Sequence, residues 1–288
     1  MHKGLIDRHP TVRNLGLALL ASLLSLAAGP RAQAQDQQDR GCSQQSLHGA
    51  YGYNYGGPDG PAILVTTTTG KFWSGPVASA VGLMTFDGVG GLRAQETRTS
   101  TGPVIRRSGT GTYSVGVSNF AVPSRAECMG SATLGGDFGG LTFDFMIVPG
   151  SKGREFSLII TNPGKVQTGV ARETGDEPCS DASLEGTYRV QSAGLSLMFG
   201  PTAAVGMRIL DGAGNLTWAE DTLSRNGQIM HRVGRSATYS VLADCTISEV
   251  FADGPTFEGV VVAEGREAYL VRTGPGNTGP IPVSYKRW

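Results

Sequence analysis

The stretch Cys42-Ser43-Gln44-Gln45-Ser46-Leu47-His48-Gly49-Ala50-Tyr51 occurs a second time as Cys179-Ser180-Asp181-Ala182-Ser183-Leu184-Glu185-Gly186-Thr187-Tyr188. Matching segments follow both copies in the same order. They are Asp87-Gly88-Val89-Gly90 with Asp211-Gly212-Ala213-Gly214, and Thr112-Tyr113-Ser114-Val115 with Thr238-Tyr239-Ser240-Val241. Self-similarity that keeps its order indicates a tandem duplication of one structural unit. We therefore expect unit one over residues 42–172, a short linker over 173–178 and unit two over 179–288.

The residues before Cys42 predict a targeting segment rather than part of the fold. Lys3, Arg8 and Arg13 precede the apolar stretch Leu15–Ala28, and Ala32-Gln33-Ala34 has the small-x-small pattern of a cleavage site. The apolar stretch is shorter than the ~20 residues of a membrane-spanning helix. Residues 1–34 are thus predicted to be a signal peptide and residues 35–41 a polar, disordered leader. Periplasmic or secreted localisation follows, with no membrane span in the mature chain.

Composition predicts an all-β protein. The chain of 288 residues contains 43 glycines, with many Thr, Ser and Val residues between turn signals and few helical runs. Each unit divides into eight short segments of alternating polarity, joined by loops rich in Gly, Asp and Pro. Two tandem antiparallel eight-stranded up-and-down barrels are the predicted fold class, because closure removes exposed strand edges. A pair of β-sandwiches is the alternative.

Four cysteines predict one disulfide per unit. Three pairings of four cysteines are possible, and the duplication selects Cys42 with Cys128 and Cys179 with Cys245, since each unit has one early and one late cysteine. An exported protein meets the oxidising compartment in which such bonds form. A metal site is disfavoured because no two cysteines are close in sequence, and we expect no metal and no cofactor.

Charge and motifs exclude several classes of function. The chain has 24 basic and 24 acidic residues, and removal of residues 1–34 takes away four basic residues and one acid, leaving 20 against 23. A formal charge of −3 gives no electrostatic case for nucleic acid or an anionic membrane. The sequence also lacks a nucleophile elbow, a zinc helix, a phosphate-binding loop and a dinucleotide fingerprint. An enzyme is the less favoured interpretation.

Unit one is longer than unit two by two insertions. Gly82 follows Cys42 by 40 residues, whereas Gly206 follows Cys179 by 27, which places a 13-residue insertion within residues 56–75. A second insertion, of nine residues, lies around residues 119–126, because 15 residues separate Tyr113 from Cys128 and six separate Tyr239 from Cys245. Inserted loops often carry function. Phe72 and Trp73, in the first insertion, are therefore candidate ligand-binding residues.

Asp144 and Glu258 are the other candidate ligand-binding residues. Both stand between apolar neighbours on equivalent predicted strands. An inward carboxylate would have a raised pKa and could bind a polar ligand head or transfer a proton. An outward one would be solvated, which is the commoner case for acidic residues. Two other repeated residues receive structural interpretations: Asp87 and Asp211 as turn caps, and Tyr51 and Tyr188 as core residues with bonded hydroxyls.

The repeated order of Cys-x-x-x-Ser-Leu-x-Gly-x-Tyr, Asp-Gly-x-Gly and Thr-Tyr-Ser-Val with a second Cys resembles a group of exported bacterial proteins of unassigned function. Those proteins look like small calycin-type or allene-oxide-cyclase-like barrels, and the resemblance extends over residues 42–287. It implies a fold and a compartment but no activity. The leading functional hypothesis is an exported, non-catalytic barrel that binds a small, partly apolar ligand or an envelope component. An isomerase or cyclase that uses an inward acid, and a structural or adhesive surface module, are the alternatives.

Overall fold

The computed structural model describes residues 42–60, 63–67, 70–117, 128–275 and 279–288. The predicted signal peptide, the leader and the insertion around residues 119–126 lie outside this set. Within these ranges, unit one has ten strands: β1 His48–Pro58, β2 Ile63–Thr67, β3 Gly70–Ser74, β4 Val77–Asp87, β5 Gly91–Ser100, β6 Ile105–Val117, β7 Cys128–Leu134, β8 Leu141–Ile147, β9 Glu155–Ile160 and β10 Thr168–Glu173. Unit two contains eight: β11 Gly186–Ser196, β12 Gly200–Leu210, β13 Asn215–Arg225, β14 Gln228–Val241, β15 Thr246–Phe251, β16 Thr256–Val262, β17 Glu267–Gly274 and β18 Pro282–Arg287.

Two closed antiparallel barrels result, as the sequence predicts. Barrel one has the strand order β1-β10-β9-β8-β7-β6-β5-β4, and barrel two runs in chain order from β11 to β18, which pairs back with β11. Every strand of either barrel therefore has two hydrogen-bonded neighbours, which rules out the sandwich alternative. The hairpin β2–β3 stands apart as a two-stranded sheet and occupies the first insertion of unit one.

Alternation of side chains gives each barrel its interior. On β8 the apolar residues Leu141, Phe143, Phe145 and Ile147 are buried, while Asp144 between them is exposed. The same period of two places aromatic residues from several strands inside each barrel. Among the described helical segments all are short 3-10 turns, and no helix there is long and apolar enough to cross a membrane.

The repeated opening phrase encodes the entry into each barrel. A 3-10 turn, Gln44–Ser46 in barrel one and Asp181–Leu184 in barrel two, is held by a reciprocal pair of serines. Ser43 and Ser46 form this pair in the first copy, and the second copy repeats it. The glycine that follows has a positive φ in both copies, 93° at Gly49 and 128° at Gly186, where a side chain would be strained. The local backbone geometry of this entry segment therefore explains why these residues are repeated.

The tyrosine that ends each phrase is buried in the core of its barrel. The Tyr51 hydroxyl donates to the Gly153 carbonyl at 2.9 Å, and the Tyr188 hydroxyl donates to the equivalent Gly265 carbonyl at 2.6 Å. Burial raises the pKa of Tyr51 to about 12, so the hydroxyl stays protonated and able to donate. The prediction of core tyrosines with bonded hydroxyls is confirmed.

Both predicted disulfides are present, one in each barrel. Cys42 is bonded to Cys128 and Cys179 is bonded to Cys245. Each bond ties the opening phrase to a later strand or turn of the same barrel. The bridges close segments with sequence separations of 86 and 66 residues, lengths at which loop-closure models assign about 4 kcal/mol each.

The Asp-Gly turns behave as predicted caps. Asp87 Oδ1 accepts the backbone N–H groups of Val89, Gly90 and Gly91 at 2.8–3.0 Å. Asp211 Oδ1 accepts those of Ala213 and Asn215. These bonds stabilise the charged form and lower the pKa of both carboxyls, with the Val89 amide the main cause at Asp87 and the Asn215 side chain the main cause at Asp211.

The two barrels pack side against side through outer strand faces. Strands β1, β4 and β5 of barrel one contact β16 and β17 of barrel two. Gly52 permits the close approach, because a Cβ there would contact Val262 and would lie 2.7 Å from Val260 Cγ1. Arg172 bridges Glu155 of its own barrel and Glu267 of the other at this junction. Apolar contact with flanking ion pairs therefore makes one compact body of residues 42–288.

Candidate ligand-binding site

The structure places both acids singled out from the sequence on outer faces. Asp144 is exposed on β8. Glu258 lies at the junction between the barrels, where its carboxylate accepts from the Thr97 hydroxyl at 2.9 Å and from Arg106 Nε at 3.0 Å. The alternative in which the Asp144 or Glu258 carboxylate points into a barrel is therefore wrong. Asp144 is solvated, whereas Glu258 forms an ion pair with Arg106 that joins the two barrels. Phe72 and Trp73 lie on β3, and their role in ligand binding remains a prediction.

A buried acid and an arginine on the next strand occur instead at the same place inside each barrel. Glu96 on β5 pairs in register with Arg107 on β6, whose Nε donates to Glu96 Oε1 at 2.7 Å. Asp221 on β13 pairs in register with Arg232 on β14, whose Nε donates to Asp221 Oδ1 at 2.8 Å. The side chains of Glu96 and Asp221 are both fully buried.

A glycine on the preceding strand makes room for each of these acids. A Cβ on Gly82 would lie 2.7 Å from Glu96 Cβ, and one on Gly206 would lie 2.5 Å from Asp221 Cβ. The equivalence is hidden in the sequence because β13 is bulged against β12: Met207 pairs with Glu220 and Arg208 with Trp218, which leaves Ala219 without a partner on β12. One extra residue moves the inward acid from Glu220 to Asp221.

In barrel one this pair is enclosed by tyrosines. The Tyr53 hydroxyl donates to Glu96 Oε2 at 2.9 Å, and the Tyr55 hydroxyl lies 3.1 Å from the same atom. Burial, then the charge of Glu96, raises the pKa of Tyr53 well above its usual range, so both phenols act as donors. Arg107 also donates to the Tyr55 hydroxyl at 2.9 Å. The Glu96 carboxylate is thus well satisfied, which indicates an internal support for barrel one.

Barrel two contains a cavity of about 260 Å³ that opens at one end. This open end carries the turns β11–β12, β13–β14, β15–β16 and β17–β18. We call the space the arginine cavity, because five guanidinium groups line it: Arg208, Arg225, Arg232, Arg235 and Arg272. Its apolar lining includes Val190, Ala204, Leu223, Phe257, Ile281 and Val283.

At the inner end of the arginine cavity lies a fully buried ion pair. Arg208 Nη1 donates to Glu249 Oε2 at 2.7 Å, and the Tyr285 hydroxyl donates to Glu249 Oε1 at 2.5 Å. Burial raises the pKa of Glu249 and lowers that of Arg208, and each partner's charge opposes the shift of the other. The Arg208 guanidinium also lies 4.3 Å from the Trp218 ring centre and 4.5 Å from that of Tyr285. Cation–π contacts of this kind replace part of the lost hydration.

Trp218 is the residue on which the cationic groups converge. Besides Arg208, the guanidinium groups of Arg232 and Arg235 lie 5.0 and 4.9 Å from its ring centre. The indole is 6% exposed, and its Nε1–H has no hydrogen-bond partner among the described residues. The Nε–H of Arg208 is likewise buried without a partner. Buried donors are rarely left unpaired, so these two indicate a place for an acceptor that protein atoms do not supply.

Carboxylates neutralise only part of the positive charge in the arginine cavity. Glu249 pairs with Arg208, Asp221 with Arg232, and Asp253 with Arg235 through three hydrogen bonds of 2.6–3.0 Å. Within the described part of the chain, Arg225 and Arg272 have no carboxylate partner, so five cations face three anions.

The two unpaired arginines lie near one another and near the open end. Arg225 stacks 4.3 Å from the ring centre of Phe199, and Arg272 Nε donates to the Gly274 carbonyl at 3.3 Å. Desolvation, followed by the charges of neighbouring arginines, lowers the pKa of both groups. A bound anion would offset both the lost hydration and the repulsion between the arginines.

The described residues give less support to a metal site or to a site that uses histidine. Nowhere in the described ranges do three His, Cys, Asp or Glu side chains cluster closely enough to hold a metal ion. The two histidines there, His48 and His231, are exposed strand residues on different barrels. The sequence did not single out Trp218, Arg208 or Arg272. Alternation on β12 and β13 would have placed Arg208 and Trp218 inward among apolar residues, and that was the available signal.

Comparison with known proteins gives no family. No family model matches the chain, and no curated protein matches it. Among solved structures, kievitone hydratase from Nectria haematococca has 8% identity and a TM-score of 0.25, over 85% of this chain and 91% of that one. A protein of unknown function from the DUF3598 family of Nostoc punctiforme has 10% identity and a TM-score of 0.24, over 85% and 98%. At these values the likeness carries no inference about activity.

Proposed function

We propose that this protein is an exported binding protein whose second barrel holds a small amphipathic anion. The observation that carries the proposal is the arginine cavity, where, among the described residues, Arg225 and Arg272 have no carboxylate partner and the Trp218 indole N–H has no acceptor. A carboxylate is the simplest head group that fits. It accepts hydrogen bonds from guanidinium groups in a fork geometry and can also accept from an indole N–H.

The apolar lining defines the rest of the ligand. Val190, Leu223, Ile281 and Val283 present aliphatic surface to the cavity. A volume of about 260 Å³ exceeds the ~150 Å³ of a protein cavity known to hold benzene. A monocarboxylate with a body of about eight carbons is therefore a reasonable size. The polar head and the apolar body together match the partly apolar ligand expected from the sequence.

Binding, rather than turnover, accounts for the inward carboxylates. Both oxygens of Glu249 are occupied, one by Arg208 and the other by Tyr285. Both oxygens of Asp221 are occupied by Arg232. A general base needs a free oxygen within reach of the proton it removes. The isomerase alternative also loses Asp144 and Glu258, which lie outside.

Export is part of the same proposal. It rests on the predicted signal peptide over residues 1–34, on two disulfides compatible with an oxidising compartment, and on the resemblance to exported bacterial barrels. The unit boundaries, 42–172 and 179–288, belong to it as well. A periplasmic or secreted protein with such a cavity would carry or sequester its ligand outside the cytoplasm.

Isothermal titration with a matched pair of ligands tests the proposal. Octanoate and octanamide share the chain and differ in the charge of the head. We expect octanoate to bind with a stoichiometry of one and octanamide to bind at least tenfold more weakly, in line with ~1.5–3 kcal/mol for a hydrogen bond to a charged group. Equal affinity for the two compounds, or binding of neither, would contradict an anion site.

A further inference from the structure

We infer that the open end of barrel two docks on an anionic lipid surface and exchanges its ligand there. This rests on the proposed function, because an amphipathic carboxylate partitions into lipid. The inference begins with the turn between β11 and β12, Leu197-Met198-Phe199, which we call the rim turn. Its three side chains are 43%, 79% and 40% exposed. Three consecutive exposed apolar side chains on a tight turn are unusual for a surface that contacts only water.

The neighbouring turn extends this apolar rim. Ile229, directly after the β13–β14 turn, is 61% exposed. The turn itself is Asn226-Gly227, which has no charge. It lies beside the end of the rim turn, because the Asn226 N–H donates at 2.8 Å to the carbonyl of Pro201, the second residue of β12. The apolar patch therefore spans two adjacent hairpins at one end of the barrel, as expected for shallow insertion between lipid head groups.

Charge at the open end favours an anionic lipid as the occupant of this surface. Arg225 lies directly behind the rim turn, against Phe199, and Arg272 lies on β17 at the same end. Among the described residues of the four turns at this end, the one acid is Asp253, and Arg235 neutralises it. Cations placed just behind inserted apolar side chains lie at the depth of lipid phosphates.

The opposite end of barrel two has a different character. It carries five acidic residues in its turns and entry segment, with Arg266 and Arg287 as counter-charges. The acidic residues are Asp181, Glu185, Asp211, Asp244 and Glu264. An anionic surface repels that end and attracts the open end, so the charges select one orientation. An uncharged apolar partner would gain nothing from this asymmetry.

Phe199 connects the docking surface with the site. Its ring belongs to the exposed rim turn, lines the arginine cavity and stacks on Arg225. Insertion of the rim turn into lipid would move an apolar side chain away from the cavity entrance. A ligand could then pass between the lipid and the cavity without exposing its chain to water.

Vesicle co-sedimentation tests the inference. The chain from Gln35 onward contains every described residue and lacks the apolar stretch Leu15–Ala28, which would itself enter vesicles. The probes are phosphatidylcholine vesicles with and without phosphatidylglycerol. We expect the protein to bind the anionic vesicles. Its affinity for them should fall about fivefold when either Arg225 or Arg272 is replaced. Leu197→Ser with Met198→Ser should reduce it about tenfold or more, because both exposed side chains lose their burial in lipid. The matched control Leu242→Ser changes an exposed leucine, 60% accessible, in the β14–β15 turn at the opposite end and should have no effect.

Octanoate titration in lipid-free buffer separates this inference from the proposed function. The rim-turn double variant should bind octanoate like the unmodified chain, because Leu197 and Met198 do not line the cavity. Absence of vesicle binding with intact octanoate affinity would overturn lipid docking and leave the binding function standing. An equal loss of vesicle binding in the Leu242→Ser control would also overturn lipid docking, because binding would then not depend on the rim turn. Equal binding to both vesicle types would overturn it as well, because charge would then play no part.

Discussion

Replacing Arg225 and Arg272 by glutamine should remove most of the selectivity for an anionic head. Both side chains line the arginine cavity, neither has a carboxylate partner in the described part of the chain, and each is partly accessible to solvent. A hydrogen bond to a charged group contributes about 1.5–3 kcal/mol, and partial exposure argues for the lower figure. We therefore expect each single variant to weaken octanoate binding about tenfold, since 1.4 kcal/mol corresponds to that factor. The double variant should lose less than the product because the two groups are neighbours.

The assay is isothermal titration with octanoate and octanamide against each variant. Octanamide affinity should stay the same in all of them, because the amide lacks the charge that the arginines recognise. Arg93→Gln, on the exposed outer face of β5, is the matched control and should change neither affinity. Urea unfolding should show that the Arg225 and Arg272 variants stay folded, with a small loss of stability from the contacts of Arg225 with Phe199 and of Arg272 with the Gly274 carbonyl. Unchanged octanoate affinity in the double variant would refute the reasoning.

Three further perturbations test the surrounding framework. Glu249→Gln should destabilise barrel two by about 3–5 kcal/mol in urea unfolding, because it leaves the Arg208 charge buried without a counter-ion, and Arg208→Met with Glu249→Leu should restore much of the loss. A single variant as stable as the parent would show that the pair is not ionised. Gly52→Ala should cost about 1–3 kcal/mol by overpacking the barrel junction, whereas Gly116→Ala should be neutral, because its Cβ would have no atom of the described residues within 4 Å; equal effects would contradict the close packing. The Asp211 carboxyl, whose pKa is lowered in the folded protein chiefly by the Asn215 side chain, contributes stability above its unfolded pKa of ~3.9 and loses it as the pH falls through the lower folded pKa. Asp211→Asn should thus differ from the parent near neutral pH and converge with it in acid, and a constant difference in thermal unfolding across that range would count against the cap.

The fold could be read from the sequence because its signals are local and repeated. The duplicated phrase contains the disulfide cysteine, the serines of a 3-10 turn, a glycine with positive φ and a core tyrosine, and each is explained by its immediate surroundings. The β2–β3 hairpin was missed, because an insertion present in one unit only has no second copy for comparison.

The site could not be read in the same way. Its residues come from strands far apart in the chain: Arg208 meets Glu249 across 41 residues, and Tyr285 meets Glu249 across 36. Apolar neighbours on equivalent strands pointed to Asp144 and Glu258, but a residue next to an inward side chain such as Phe143 or Phe257 faces outward itself. The bulge at Ala219 further concealed that Glu96 and Asp221 are equivalent.

A crystal structure with 8-bromooctanoate would test the central claim most directly. Anomalous scattering from bromine locates the end of the chain independently of the fitted ligand. We predict a bromine peak inside barrel two and a carboxylate within hydrogen-bonding distance of Arg225 or Arg272, with Trp218 Nε1 paired to the ligand or to a water that the ligand holds. A cavity that contains only water at saturating ligand, or a bromine peak confined to sites outside barrel two, would contradict the account.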